Sequence, residues 1–256
     1  MASLPCIDSH LHCGVQQVLW PWEKVRARLL AAEITGAGLI PPVEDIYDRH
    51  DPAFVDSPAW QECRRRAHHY LRSLQDPALT LYPYFFVWND FAREDLSEAY
   101  AAIKWHRHAD EPEYRYADPR CREFLARALE LRLPILLEET LSNTLFFIQE
   151  LAPMATVIIP HLGMLNGGYR RLKALGIWEL PQVYADSALA RTVELVDYVR
   201  NFGTTRLLLG SDYPFGDPVI EKDKVVSLTL PAAAQRAVLA ENWLRLQAER
   251  QPAGGR

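Results

Sequence analysis

The sequence predicts an α/β chain folded as a (β/α)8 TIM barrel, slightly distorted and with a helical insertion after its second strand. Three observations predict it. Eight short apolar stretches are spread along the 256 residues. Between them run stretches with apolar residues at three- and four-residue spacing, and no series of hairpins breaks the alternation. The length also suits a single α/β barrel, which commonly takes ~200–250 residues. An open doubly wound sheet would alternate similarly, but the chain carries no GxGxxG or GxxxxGK[ST] loop.

The candidate strands are Leu4–Asp8, Gly38–Pro42, Leu81–Trp88, Ile103–His106, Pro134–Glu138, Thr156–Pro160, Gln182–Ala185 and Arg206–Gly210. Eight parallel strands with crossover helices close a barrel. Phe124, Leu125, Ala128, Leu129 and Leu131 mark one helical face; Val193, Val196, Val199 and Phe202 mark another. Ser142-Asn143 is expected to cap a helix running to Leu151, and Gly203 to end the helix before the eighth strand. Pro231 suits the first turn of the C-terminal helix. Val43–Pro77 reads as a loop-rich insertion holding a helix over Trp60–Ser73, and Arg107–Asp118 as a polar loop with aromatics. Both follow strands, so both belong at the C-terminal face, where barrels bind ligands. Residues 1–256 are thus expected to form one barrel domain, with the insertion at about 43–77 and a frayed tail, Gln251–Arg256.

Composition narrows the class. At 49% hydrophobic and 24% charged the chain is an ordinary globular one, which excludes disordered, collagenous and disulfide-dense proteins. A net charge of −5 argues against nucleic acid as partner. The one dense basic run, Arg64-Arg65-Arg66 with His68 and His69, reads as the solvated side of a helix. No apolar run approaches the ~18–20 residues of a membrane span. Met1 to His10 has no basic n-region and reaches Asp8 early, so no signal peptide and a cytoplasmic location are expected. Cys6, Cys13, Cys63 and Cys121 form no CxxC pair and read as reduced, mostly buried thiols.

Chemistry-bearing residues cluster at the strand ends. His10 and His12 lie two apart on an extended chain, so both imidazoles can face one ion. Such pairs also arise by chance, and His106/His108 and His68/His69 are further examples. Three more apolar strands deliver metal-capable side chains: Glu138 and Glu139 after Leu137, His161 after Pro160, and Asp212 after Ser211. Singly, a histidine there fits a core and an aspartate fits a cap or turn. In a parallel barrel, however, all these ends converge on one mouth.

The ordered set resembles the amidohydrolase superfamily, in particular its amidohydrolase-2 branch of metal-dependent TIM-barrel hydrolases and decarboxylases. The matching stretches begin with Ile7-Asp8-Ser9-His10-Leu11-His12, Ile103-Lys104-Trp105-His106 and Leu133-Pro134-Ile135-Leu136-Leu137. They continue with Ile159-Pro160-His161-Leu162-Gly163, Val183-Tyr184-Ala185-Asp186-Ser187 and Leu209-Gly210-Ser211-Asp212-Tyr213-Pro214. Leu239 to Leu246 is similar to the family's closing helix, so the likeness runs end to end.

The resemblance implies that His10 and His12 are metal ligands from the first strand. Asp212 becomes the eighth-strand carboxylate that binds metal and takes a proton from bound water. His161 becomes a ligand or a polariser of the substrate. The branch usually places histidine after the fifth strand, where this chain has Glu138. Glu138 is therefore expected to bind the metal directly, and Glu139, of opposite parity, to lie outside the first ring of ligands, orienting a ligand histidine. Lys104 and His106 share a parity that faces the lumen; Lys104 is expected to pair with a substrate carboxylate rather than form a carboxylated bridge.

A divalent ion is the expected cofactor: Zn²⁺ first, with Mn²⁺ or Fe²⁺ as alternatives. The expected reaction is attack of metal-activated water on a C–O or C–N bond of a small carbonyl or carboxylate substrate. The first alternative is non-hydrolytic decarboxylation of an aromatic or unsaturated acid. An inactive barrel serving as a binding or scaffold protein is the alternative of another class. Besides Lys104 and His106, the residues expected around the substrate are Arg107, Trp88 and Tyr213, and homo-oligomerisation stays open.

Overall fold

The computed structural model describes residues 5–250. All eight expected strands form: β1 Ile7–His12, β2 Gly36–Ile40, β3 Thr80–Phe86, β4 Ala102–His106, β5 Ile135–Glu138, β6 Val157–Ile159, β7 Val183–Asp186 and β8 Leu207–Leu208. Each lies parallel to its neighbour in sequence, in one eight-stranded sheet. The sheet curls until its edges meet. Ser9 N–H donates to Leu209 O and His12 N–H to Tyr213 O, both at 2.8 Å, which joins β8 and the segment after it to β1. The result is a (β/α)8 barrel, with a register shift between Asp8 and Leu11 as its main irregularity.

The first strand differs from expectation in a way that matters. The apolar signal stops at Asp8, but pairing continues as Leu11 against Leu39 and His12 against Ile40. The inward positions Asp8, His10 and His12 are polar because the lumen is polar at this height, so an apolar-run criterion ends the strand too early. A short antiparallel hairpin, Gly14–Val15 with Leu19–Trp20, follows and was not foreseen. The start of the expected first strand at Leu4 and the tail Gln251–Arg256 lie outside the described residues.

Local chemistry explains the helix starts. Ser57 accepts from Trp60 N–H at the head of Pro58–Ser73, the insertion helix. Asp118 and Asp217 cap Pro119–Glu130 and Pro218–Val226 in the same way. The helix after β5 begins earlier than expected, at Leu141, capped by Thr140 rather than Ser142-Asn143. Gly203, at φ 75°, ends Thr192–Phe202 as expected. Pro231 stands at the cap position, just ahead of Ala232.

Two packing expectations hold in part. In Thr192–Phe202 the buried residues are Leu195 and Tyr198; Val199 and Phe202 pack partly buried against the core, while Val193 and Val196 are exposed. The valines and the Leu195–Tyr198 stripe compete for one face. The stripe with the large aromatic wins, placing the Tyr198 ring 5.5 Å from that of Trp178. On Pro119–Glu130 the expected face holds at Phe124, Leu125 and Ala128, and at Leu131 just past the helix; Leu129 alone is exposed. A fully buried ring such as Phe124 contributes about 1.5–3 kcal/mol.

The basic run on Pro58–Ser73 is only half solvated. Arg65 and Arg66 are exposed, but Arg64 is buried and binds Asp56 and Asp90, each at 2.6 Å, and Ile46 O. It thereby ties the insertion to the loop after β3. His68 is buried as well. Its Nε2 accepts Phe86 N–H at 2.9 Å, and its ring stacks on Phe85 at 4.4 Å.

Burial, reinforced by Arg64, holds the His68 pKa down at about 3. The unfolded chain therefore binds this proton first, near pH 6.5. Stability contributed by neutral His68 is complete above that pH and drains as pH falls towards 3, by about 1.4 kcal/mol per unit. Urea midpoints between pH 7 and pH 5 should fall less steeply in His68→Gln than in the parent chain; equal slopes would refute this.

All four cysteines are free and buried. Among the described residues no helix is long and apolar enough to cross a membrane.

Candidate metal centre

The strand ends deliver the predicted donors to one place. His10 and His12 project from the inward face of β1. Their Nε2 atoms lie 3.2 and 3.3 Å from Asp212 Oδ1. His161, just past β6, points Nε2 at Glu138 Oε2, 3.5 Å away, and at Asp212 Oδ2, 3.9 Å away. Two sets of donors fall within 4.8 Å of one another here: His10, His12 and Asp212, and His10, Glu138 and His161. All five residues are buried.

Backbone geometry serves this convergence. His161 and Asp212 both adopt left-handed conformations, at φ 55° each. Such conformations cost on the order of 1–3 kcal/mol outside glycine, and persist where the surroundings enforce them. Gly210 gives β1 room: a Cβ there would lie 3.0 Å from His10 Cβ.

The far nitrogens decide what the near ones can do. His12 Nδ1 is 3.1 Å from Pro41 O, and His161 Nδ1 is 3.1 Å from Ala188 O. A carbonyl only accepts, so both Nδ1 atoms carry a proton, and each Nε2 offers a lone pair inward whenever its ring is neutral. His10 Nδ1 lies 2.8 Å from Asp186 Oδ2, with the same result. Asp186 ends β7 and uses its other oxygen on His161 N–H and Ala188 N–H. It held no assigned role in the sequence reading. It stands at a strand end like the other donors, so the same criterion would have found it.

Electrostatics divide the cage. Burial, then the charge of Lys104, holds the His10 pKa well below the ordinary imidazole range, so its ring is neutral. Burial raises the Asp212 carboxyl, but His10, His12 and His161 outweigh it and lower the pKa to about 2. Burial likewise works against charge on His161. The hydrogen bond and charge of Glu138, with Asp212 and Asp186, reverse this and raise its pKa to about 9. Glu138 is held well below the carboxylate range because Lys104 and His106 overcome its burial.

Lys104 is wholly buried, its Nζ donating to Glu138 Oε2 at 2.9 Å and lying 3.3 Å from His10 Nε2. His106 and His108 Nε2 approach the other oxygen, Glu138 Oε1, at 3.2 and 2.8 Å. Glu139 faces away, bonded to Tyr116, Thr140 and Asn143, and touches none of the cage histidines.

A cavity of about 190 Å³ opens over the cage. His12, His161, Asp212, Glu138, His106 and His108 form its polar part, Val43, Leu165, Leu189 and Phe215 its apolar walls, and Arg49 its far side. Arg49 comes from the insertion, which offered no sequence signal for it. Of the residues expected around the substrate, His106 lines this cavity. Trp88 is buried against Tyr47 at 3.9 Å, Arg107 holds Ala109 O and Glu111 O in its own loop, and Tyr213 lies off the cavity wall. A larger cavity, about 520 Å³, sits between Tyr82, Arg132 and Arg250 near the N-terminal strand ends, out of reach of every cage donor.

An eight-stranded parallel barrel with imidazoles and carboxylates converging at its C-terminal mouth defines a TIM-barrel protein built around a ligand cage. The chain belongs to the amidohydrolase family, whose model matches residues 7–246. No curated protein matches it in sequence. Among solved structures it resembles 2,6-dihydroxybenzoate decarboxylase from Rhizobium at 15% identity and TM-score 0.73, over 97% of this chain and 100% of that one. It is also similar to a dihydroxybenzoic acid decarboxylase from Polaromonas, solved with manganese and 2-nitroresorcinol. That match has 14% identity and TM-score 0.71, over 98% of each chain. Amidohydrolase 2 from Bifidobacterium longum matches at 17% identity and TM-score 0.68, over 96% of this chain and 99% of that one.

Asp186 offers a direct check on the histidine orientations. An asparagine has one acceptor oxygen where Asp186 uses two, so it must turn its NH₂ group against an N–H of His10 or of His161 and Ala188. Asp186→Asn should weaken divalent-metal binding about 10–100-fold, read by competition with a chromogenic chelator. Unchanged affinity would mean that the His10 tautomer is set elsewhere.

Proposed function

We propose that the chain is a metal-dependent hydrolase of small carbonyl compounds that carry a carboxylate. One observation supports this above the others: three imidazole Nε2 atoms converge on Asp212 and Glu138 while each Nδ1 is held by an acceptor. That donor set fits Zn²⁺, with Mn²⁺ or Fe²⁺ as the alternatives given its oxygen share. His10, His12 and Asp212 would hold the ion, with Glu138 and His161 completing the cage. A bound divalent ion lowers the pKa of its water towards ~7 and polarises a carbonyl.

The protein's own groups supply the rest. Asp212, ionised at neutral pH, can accept a proton and return it to the leaving group. Where His161 is not bound to the ion, its protonated Nε2 faces the same space and can donate to an oxygen on which charge develops. Arg49 is the cation lining the cavity. Its Nε and NH2 pair with Glu111 and its NH2 also meets His108, while its NH1 lies no closer than 3.6 Å to Glu44, leaving NH1 donors for a carboxylate. The volume and the apolar walls suit a single ring or a short unsaturated acid.

Decarboxylation is the second reading, favoured by the placement of His161. An imidazole held cationic between Glu138 and Asp212 is a proton donor suited to a carbon centre. Turnover of a panel of lactones and ring carboxylic acids in ¹⁸O-water separates the two. Hydrolysis puts ¹⁸O into the product; decarboxylation releases CO₂ with no label in the organic product. Activity on phosphoesters alone would overturn both.

A further inference from the structure

We propose a second divalent-cation site beside the first, formed by His106, His108 and Glu138, with the Glu138 carboxylate bridging the two. The bridge rests on the proposed first centre; the His106–His108 pair does not.

The two oxygens of Glu138 face different histidines. Oε2 meets Lys104 and His161, whereas Oε1 lies 3.2 Å from His106 Nε2 and 2.8 Å from His108 Nε2. The two rings sit 4.7 Å apart. Behind them stands a second buried carboxylate, Glu111. Its Oε2 is 3.7 Å from His106 Nδ1 and its Oε1 is 3.4 Å from His108 Nδ1. Without an ion, His108 Nδ1 accepts from Arg49 NH2 at 3.1 Å, so its Nε2–H donates to Glu138 Oε1. With Nδ1–H turned to Glu111 instead, His106 and His108 would each present an Nε2 lone pair beside Glu138 Oε1, the donor set of a cation.

The surroundings fit. Tyr47 OH donates to Glu111 Oε2 at 2.7 Å and lies 3.2 Å from His106 Nδ1. Arg49 is already paired with Glu111 and also reaches His108 Nδ1 at 3.1 Å, so it can keep Glu111 as its acceptor when His108 turns Nδ1–H there. The site also gives a reason for glutamate at the end of β5: a carboxylate can bridge two ions, and a neutral imidazole cannot.

The test is Mn²⁺ titration of chelator-stripped protein, reading stoichiometry by calorimetry and coupling by electron paramagnetic resonance. The parent chain should take up two Mn²⁺ with a spin-coupled spectrum. His108→Ala, at a partly exposed position, should take up one, with the uncoupled six-line signal. Glu111→Gln should weaken the second ion about 10–100-fold and leave the first unchanged. A parent chain that binds one Mn²⁺, lost in Asp212→Asn but kept in His108→Ala, overturns the second site and leaves the first standing. One ion lost in His108→Ala but kept in Asp212→Asn would support the His106–His108 site and overturn the first centre. Two ions retained in His108→Ala would refute the ligand assignment.

Discussion

Replacing Asp212 with asparagine should leave the barrel folded and remove tight metal binding. The substitution separates ligation from folding because Asn, like Asp, tolerates the left-handed φ of 55° at this position and keeps the side-chain shape. What is lost is a carboxylate oxygen within 3.2–3.3 Å of both His10 and His12 Nε2, and with it a group able to shuttle a proton. A ligand at 100 times its Kd stabilises a folded protein by about 2.7 kcal/mol. The parent chain should therefore melt several degrees higher with saturating metal, and Asp212→Asn should show almost no shift. Turnover on any substrate of the parent chain should fall at least ~10²–10⁴-fold. A variant that keeps both the metal-dependent shift and its activity would remove Asp212 from the centre.

The donors of this cage were legible because a parallel barrel turns one-dimensional information into a ring. Apolar strands that stop at His161, Glu138 or Asp212 say where those side chains lie without any knowledge of pairing partners. The parity of His10 and His12 survived even though the expected strand ended too soon, since both extended backbones alternate in the same way. What escaped depends on contacts between distant segments. Glu111 acquires its meaning from a tyrosine and an arginine of the insertion, whereas Asp186 stands at a strand end and only its link to His10, 176 positions away, was out of reach. Arg49 lies in irregular chain, where neither period nor strand end marks it. The first half of the valine face of Thr192–Phe202 failed for another reason: beside Val193 and Val196, the Leu195–Tyr198 stripe satisfies the same spacing, and the volume of Tyr198 decides for it, while Val199 and Phe202 pack as expected.

Lys104→Met in the metal-free protein should cost about 3–5 kcal/mol, because it strands a buried carboxylate. Lys104 shows no exposed surface and Glu138 only 3%, so water cannot take over the missing charge. Glu138 would retain His161, already cationic but 3.5 Å away, whereas His106, whose pKa burial lowers, must first take up a proton to become a counter-charge. The double variant Lys104→Met/Glu138→Gln removes both charges and should recover most of the loss, giving a coupling in denaturant unfolding well above 1 kcal/mol. Saturating divalent metal should also shrink the cost of Lys104→Met, since an ion on Glu138 replaces the ammonium as counter-charge. The dependence on metal is what ties the pair to the centre. A Lys104→Met penalty that is large but unchanged by metal would make the Lys104–Glu138 pair structural alone. A penalty below ~0.5 kcal/mol without metal would mean the buried carboxylate is already balanced by its histidines.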